Sequence, residues 1–175
     1  WHHPHFTVDT NHPRRKDPDA LKLNEGRDMR IYAQYMRDQV RELLTNYGKI
    51  GMMWFDTPYD MPIELCRELA DVVRQCQPEC LINGRIGYCL GDFREAADNA
   101  IPVLAQEECW ESPMTLNGTW GYSHTDNNFK SPSKVIENLI RIVGKGGNLV
   151  LNVGPDEYGK IPERSDEILC EVGKW

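Results

Sequence analysis

The feature that most constrains the fold of this chain is a repeated order of amphipathic helix, continuous apolar run and polar loop. From Asp28 onward, apolar residues recur at helical spacing, and the apolar run 50–55 then ends abruptly in a polar turn. An apolar run without alternation is typical of a strand that is covered on both faces, as in parallel sheets. The repetition therefore predicts an α/β fold with a parallel sheet.

Capping residues and periodicity predict the remaining elements of the same pattern. Helices are expected to begin at Pro62, at Ser131 and at Glu163, because Pro is favoured in the first helical turn and Ser is a favoured N-cap. Short apolar runs predict further strands at 80–83, 103–104, 111–116 and 149–153.

The strands predicted in this way are too few for a closed eight-stranded barrel, which takes ~200 to 250 residues. The chain has 175 residues, so a barrel would be present as about one half. An open doubly wound sheet is the structural alternative, but it would carry a Gly-rich phosphate turn after its first strand, and none follows the run 50–55. We therefore expect a partial (β/α)8 TIM barrel.

Charge and composition exclude several classes of partner. The formal net charge of -7 leaves no basic stripe to neutralise phosphates, so a nucleic-acid partner is not expected. The apolar runs are far shorter than the ~20 residues that cross a bilayer, so no membrane partner is expected. The six cysteines form no CxxC pair, and no metal site is predicted. A neutral small-molecule substrate fits this surface better.

Residues at the carboxyl ends of the predicted strands are the first candidates for function, because these ends converge on one face of a parallel β/α fold. Asp56 follows Trp54 at such an end, and it could act as a nucleophile or simply cap the next turn. Arg85 could bind a carboxylate or hydroxyls, or form a surface ion pair. The Trp120 ring could stack on a sugar, or pack in the core. Each signal is weak when taken alone.

Together, several motifs match a family in order and spacing. The segments are Asn46–Gly48, Met53–Asp56, Asn83–Arg85, Trp110–Glu111, Asn117–Tyr122 and Gly146–Pro155. They resemble glycoside hydrolase family 29, the α-L-fucosidases, over nearly the whole chain. The most specific match runs from Lys145 to Pro155, because so many ordered positions seldom recur by chance.

The resemblance implies the C-terminal half of a (β/α)8 catalytic barrel that hydrolyses terminal α-L-fucose with net retention. By residue matching, Asp56 is the nucleophile, and the second carboxyl group of the pair lies ~5 Å away. Arg85 and Trp54 are expected to bind the sugar, and Trp120 to pack near its methyl group. No cofactor is implied, and the partner is a fucosylated oligosaccharide or glycoprotein.

The general acid/base is left open by the resemblance. Asp98 is the first candidate, because it lies nearest the position where many family members carry a Glu. Glu111 is the second candidate, because it lies at a strand end beside a tryptophan, while Glu95 and Glu108 remain alternatives. His2 and His3 resemble a loop near the family's site, but a solvated loop is an equal alternative for them.

The resemblance also carries expectations about the extent of the chain. We expect residues 1–175 to be a single piece of the catalytic domain, truncated at both ends, and inactive alone because the early strands supply further fucose contacts. The family implies a secreted, periplasmic or lysosomal enzyme without choosing among them. Two alternatives stay open: a carbohydrate-binding derivative without catalysis, and a retaining glycosidase of another specificity, which would contact C6 of the sugar differently.

Overall fold

The computed structural model describes residues 26, 28–56 and 61–175. The chain divides into two compact units, Trp1–Asp92 and Phe93–Trp175, and each is described by itself. In both units helices pack on parallel strands, so the predicted α/β class is confirmed. No helix among the described residues combines the length and apolarity that crossing a bilayer requires.

The first unit contains two helices and a two-stranded parallel sheet. Its elements are α1 (Met29–Asn46), β1 (Met52–Met53), α2 (Ile63–Cys76), β2 (Leu81–Ile82) and a 3-10 helix (Gly84–Ile86). Its core joins both helices to the strands, with Leu44, Val73 and Ile82 almost fully buried. The predicted start of α1 is confirmed, because the Asp28 carboxylate caps the first turn by accepting from the Arg30 amide.

The second unit contains a three-stranded parallel sheet in the order β3-β4-β5. Its elements are β3 (Arg94–Glu95), β4 (Trp110–Thr115), α3 (Pro132–Val143), β5 (Gly147–Asn152) and α4 (Glu163–Lys174). Trp110 and Met114 of β4 pack on Ile142 of α3. Ser131 caps α3 through its hydroxyl, as predicted, and α4 begins at Glu163, as predicted.

The strand predicted at Val103 and Leu104 is wrong. Both side chains are exposed, by 89% and 74%, in the connection between β3 and β4. The Lys145 ammonium holds this connection by donating to the Pro102 and Val103 carbonyls, so these carbonyls are not paired in a strand ladder. The strand that pairs with β4 on this side of the sheet is instead β3, where Arg94 N donates to Cys109 O at 2.9 Å. The residues of β3, Arg94 and Glu95, are too polar for hydropathy to indicate a strand.

Among the described strands, only β4 is buried on both faces. All six residues of β4 are buried because it is the central strand of its sheet. In contrast, Met52 of β1, Leu81 of β2 and Val150 of β5 are 41%, 45% and 38% exposed. Apart from Val103 and Leu104, the apolar runs therefore indicated strands correctly, but they overestimated how far the strands are covered.

Candidate functional site

The carboxyl end of β1 brings together three of the predicted site residues. The Arg85 guanidinium donates from Nη1 to Asp56 Oδ1 at 3.0 Å, and its Cζ lies 5.1 Å from the centroid of the Trp54 ring. The Arg85 side chain is 20% exposed and the Asp56 side chain 49%. Trp54 thus shields a cation that faces a solvent-accessible carboxylate, an arrangement that combines an ion pair with a cation–π contact.

The peptide next to Asp56 is clamped by a fully buried side chain. Asn83, which follows β2, accepts from Phe55 N through Oδ1 at 2.6 Å and donates from Nδ2 to Phe55 O at 2.8 Å. Both main-chain groups of Phe55 are therefore satisfied by one amide, much as a neighbouring strand would satisfy them. The clamp begins where the β1–β2 ladder ends.

A second carboxylate supports β2 beside this clamp. Asp92 Oδ2 accepts from Ile82 N at 2.7 Å, while the Arg74 guanidinium donates to both Asp92 oxygens at 2.5 and 2.6 Å. The hydrogen bond from Arg74 is the main cause that lowers the pKa of Asp92; burial opposes it, and the Ile82 amide adds to the lowering. Asp92 is therefore an anion, and in this form it binds the main chain of Ile82, the residue that precedes Asn83.

The loop after β2 has a tightly specified backbone. Tyr88 and Cys89 adopt left-handed φ values of 53° and 57°, and Tyr88 Oη donates to Met61 O at 2.8 Å. Gly91 approaches the clamp so closely that a Cβ there would lie 2.5 Å from Asn83 O. Since non-glycine residues seldom adopt such φ values, this backbone is held by its surroundings.

In the second unit, Asp98 is exposed in a turn that follows the carboxyl end of β3. The next residue, Asn99, has a left-handed φ of 54°. Its side-chain Oδ1 accepts from Thr115 N at 3.0 Å and from Thr115 Oγ1 at 3.1 Å. These bonds join the Asp98 turn to the carboxyl end of β4.

Lys130 completes this network. Its ammonium donates to Thr115 O, and it lies 3.4 Å from Thr115 Oγ1 and 3.5 Å from Asn99 Oδ1. Burial lowers the pKa of Lys130, because the charged form loses hydration. A cation is therefore held within the network that supports Asp98.

Glu111 lies near the amino end of β4, level with the last residue of β3. It is the second residue of β4, is 5% exposed, and is in register with Glu95 on one side and Asn148 on the other. Because side chains alternate along a strand, Glu111 lies on the sheet face opposite the one that packs on α3. It is four residues, or about 13 Å, from Thr115 at the carboxyl end.

Trp120 lies in the loop after β4, and its side chain is 41% exposed. The Asp126 carboxylate organises this loop by accepting from Asn128 N at 2.9 Å and from Gly118 N at 2.8 Å. These bonds, the one from Asn128 first, lower the pKa of Asp126. Gly154 allows the loop after β5 to approach, since a Cβ there would lie 2.7 Å from Tyr122 N.

The other predicted residues lie elsewhere. Glu108 is exposed and forms an ion pair with Arg94, and Glu95 lies within β3. His2 and His3 lie outside the described residues. Among residues 26, 28–56 and 61–175, no three metal-binding side chains are grouped as a metal site would require.

Sequence reasoning did not assign roles to Asn83, Asp92, Asn99 and Lys130. Asn83 was visible only as part of the motif that contains Arg85. A polar amide directly after an apolar run was the one available signal, since a buried polar group there needs partners. The partners themselves are main-chain groups that are distant in sequence, and residue types do not reveal them.

Comparisons with known proteins point to one family. The family model described as alpha-L-fucosidase matches residues 1–175. The tissue alpha-L-fucosidase of Mus musculus is 24% identical over 187 residues, which cover all of this chain and 38% of the relative. The plasma alpha-L-fucosidase of Pongo abelii is 30% identical over 189 residues, covering all of this chain and 37% of the relative.

Solved structures show the same likeness. Alpha-L-fucosidase isoenzyme 1 from Paenibacillus thiaminolyticus matches with a TM-score of 0.84 and 36% identity, covering all of this chain and 46% of the other. An alpha-L-fucosidase from Lactobacillus casei in complex with the α-L-fucose product matches with a TM-score of 0.70 and 34% identity, covering 79% of this chain and 42% of the other. The chain spans less than half the length of each of these relatives.

Proposed function

The chain belongs to the α-L-fucosidase family, and from this premise we propose that the protein hydrolyses terminal α-L-fucose from oligosaccharides or glycoconjugates with net retention. The observation that carries the proposal is the carboxylate of Asp56 at the carboxyl end of β1, paired with Arg85 beside Trp54. A carboxylate at a strand end, held in place by a fixed cation, can act as the nucleophile of a covalent displacement at a sugar carbon.

The proposed reaction has two displacements. In the first, an oxygen of Asp56 forms an ester bond to the anomeric carbon as the glycosidic bond breaks, and a second carboxyl group gives its proton to the departing oxygen. In the second, that carboxylate takes a proton from water, the water oxygen bonds to the anomeric carbon, and Asp56 leaves as a carboxylate. Two inversions at one carbon give net retention.

Arg85 has two proposed roles in this site. Its bond to Asp56 holds the carboxylate in one orientation, and we propose that the guanidinium also binds a hydroxyl of the sugar. The exposed part of Trp54, 38%, offers an apolar surface beside the same residues. We propose that Trp120 contributes a second ring, because it is exposed on a loop that Asp126 organises.

We assign the general acid/base to Asp98, with Glu111 as the second choice. Asp98 is exposed in a turn at the carboxyl end of β3, whereas Glu111 is buried near the amino end of β4. Active sites of β/α barrels lie at the carboxyl ends of strands. The position of each residue in its own sheet therefore favours Asp98.

We further propose that these βα units are part of a (β/α)8 barrel and supply about its C-terminal half. The support comes from parallel strands with intervening helices, and from the share of each relative that the chain covers. An alternating β/α order with parallel strands is common to barrels and open sheets. Family membership is what favours the barrel.

The test is turnover of an aryl α-L-fucoside by the full-length product of the gene, comparing wild type with Asp56→Ala, Asp98→Ala and Glu111→Ala. We expect Asp56→Ala to lose at least about 1,000-fold in kcat, since the covalent route is closed. Azide should restore turnover and yield fucosyl azide of inverted configuration. Asp98→Ala should lose activity and recover with azide to give the retained product.

The matched control is Asp38→Ala, because Asp38 is an exposed carboxylate on α1, and it should retain wild-type turnover. If Glu111→Ala rather than Asp98→Ala shows the azide-rescued, retained product, the acid/base assignment is wrong. A wild-type protein that binds fucose but releases no product at any pH would replace the hydrolase by a carbohydrate-binding protein.

A further inference from the structure

We infer that Asn83 is a positioning residue for the nucleophile, acting through the peptide of Phe55. The inference rests on the proposed function of Asp56 and extends it to a residue without a proposed contact to substrate. Asn83 is fully buried, and its one side-chain amide bonds to both main-chain groups of Phe55 at 2.6 and 2.8 Å. Phe55 is joined directly to Asp56.

The ladder explains why such a clamp is needed. The parallel pairing of β1 and β2 covers only two residue pairs and ends at Met53 and Ile82. Beyond it the chain must still present Trp54 and Asp56 at defined positions. The Asn83 amide takes the place of the missing ladder bonds, so the peptide that precedes Asp56 keeps the register of the sheet.

Asn83 is itself held on more than one side. Asn83 N donates to Met53 O at 3.4 Å, and the preceding residue, Ile82, is bonded through both N and O to Asp92 at 2.7 Å. Gly91 fits against Asn83 O, where a side chain would collide. The Asn83 amide therefore has a fixed position, and its hydrogen bonds hold the main chain of Phe55 in a fixed position as well.

Asn83 also links the two charged residues of the site. Arg85, which bonds to Asp56 at 3.0 Å, follows Asn83 by two residues. The side chain of Asn83 holds Phe55, the residue before Asp56. The ion pair is thus built from two loops that one buried amide joins. Loosening this joint should displace the attacking oxygen without removing any group that contacts the sugar.

The experiment measures the attack by Asp56 separately from proton donation by the general acid. A 2-deoxy-2-fluoro-α-L-fucosyl fluoride labels a retaining enzyme when a carboxylate oxygen bonds to C1, the C1–F bond breaks and fluoride leaves with the bonding electrons. Fluoride departs without a proton from the acid, so the labelling rate reports the nucleophile. Mass spectrometry of the full-length protein locates the label on the peptide that contains Asp56.

We expect Asn83→Ala to lower the maximal labelling rate by about 10- to 100-fold, with a smaller change in the probe concentration for half-maximal rate, because misplacement of about 1 Å costs up to ~100-fold. The matched control is Asn138→Ala. Asn138 is also buried, at 6% exposure, but its amide contacts Met114 Sδ in the second unit. The control should label within about threefold of wild type.

Asn83→Asp is the second variant, and it keeps the inference testable if the alanine variant fails to fold. A protonated aspartic acid matches asparagine in shape and donates where Nδ2 donates, whereas a carboxylate cannot. The labelling rate of Asn83→Asp relative to wild type should therefore rise as the pH is lowered. Asp56, Asp92 and Arg85 are present in both proteins, so taking the ratio at each pH removes the pH effects that the two proteins share, and Arg85 stays charged.

Two results would overturn the inference. One is folded Asn83→Ala that labels as fast as Asn138→Ala, and the other is a ratio for Asn83→Asp that does not change with pH. A wild-type protein that takes no label at Asp56 refutes the proposed function instead, and the inference falls with it. Normal labelling of wild type with slow labelling of both Asn83 variants supports both.

Discussion

Replacing Asp92 by asparagine tests what stabilises β2, the strand that leads to Asn83 and Arg85 of the candidate site. Asp92 accepts from Ile82 N at 2.7 Å and from Arg74 at 2.5 and 2.6 Å. Asparagine keeps the shape, but its Nδ2 donor replaces one acceptor oxygen and its side chain is neutral, so Arg74 loses one of its two hydrogen bonds and its charged partner. A hydrogen bond to a charged group contributes ~1.5 to 3 kcal/mol. Because both side chains are about one third exposed, we discount this to about 1 to 2 kcal/mol.

The pH dependence follows from the sign of the shift. The pKa of Asp92 is lowered, chiefly by the Arg74 guanidinium. Its stabilisation is therefore fully present above the unfolded-state pKa of ~3.9, and is lost as the pH falls through the lower folded-state value. The difference in unfolding free energy between wild type and Asp92→Asn should be constant from about pH 5 to 8 and shrink below about pH 4.

Urea denaturation at a series of pH values measures this difference, and hydrogen exchange of the Ile82 amide reports the same site locally. The control is Asp71→Asn, an exposed carboxylate on α2, whose effect should stay within about 0.5 kcal/mol. Equal stability of wild type and Asp92→Asn at pH 7, or a difference that persists at about pH 2, would refute an ionic role for this contact.

Three further predictions concern the second unit. Gly147→Ala should destabilise by about 1 to 3 kcal/mol in urea denaturation, because its Cβ would overlap the buried Trp110 ring, whereas Gly51→Ala, with open space around it, should not. Ser131→Ala should cost about 1 kcal/mol by the same assay and Ser131→Gly only a few tenths, since the hydroxyl caps α3. Asp126→Asn should abolish an acid transition in tryptophan fluorescence that wild type shows as the pH falls through the lowered pKa of Asp126; an identical transition in the variant would contradict this role.

Local sequence determined the helices and the positions of most strands. The start of α1 was predicted by the helical periodicity from Asp28 onward, and the start of α3 by the N-cap Ser131, which acts within one helical turn. Apolar runs predicted β1, β2, β4 and β5, because buried strands need such side chains on their covered faces. The pair Val103 and Leu104 carried the same signal yet lies exposed, since hydropathy does not tell which main-chain groups will find a partner.

The sequence by itself also determined the family, and its motifs predicted Asp56, Arg85 and Trp54 as candidate site residues. Only the tertiary structure decided how they are held: that Arg85 bonds to Asp56 across 29 positions, and that Asn83 clamps Phe55 across 28. The physical reason is that the chemistry of a side chain follows from its residue type, whereas its orientation depends on partners that are distant in sequence, many of them main-chain atoms. Every residue carries those atoms, so the residue types along the chain do not disclose which of them meet.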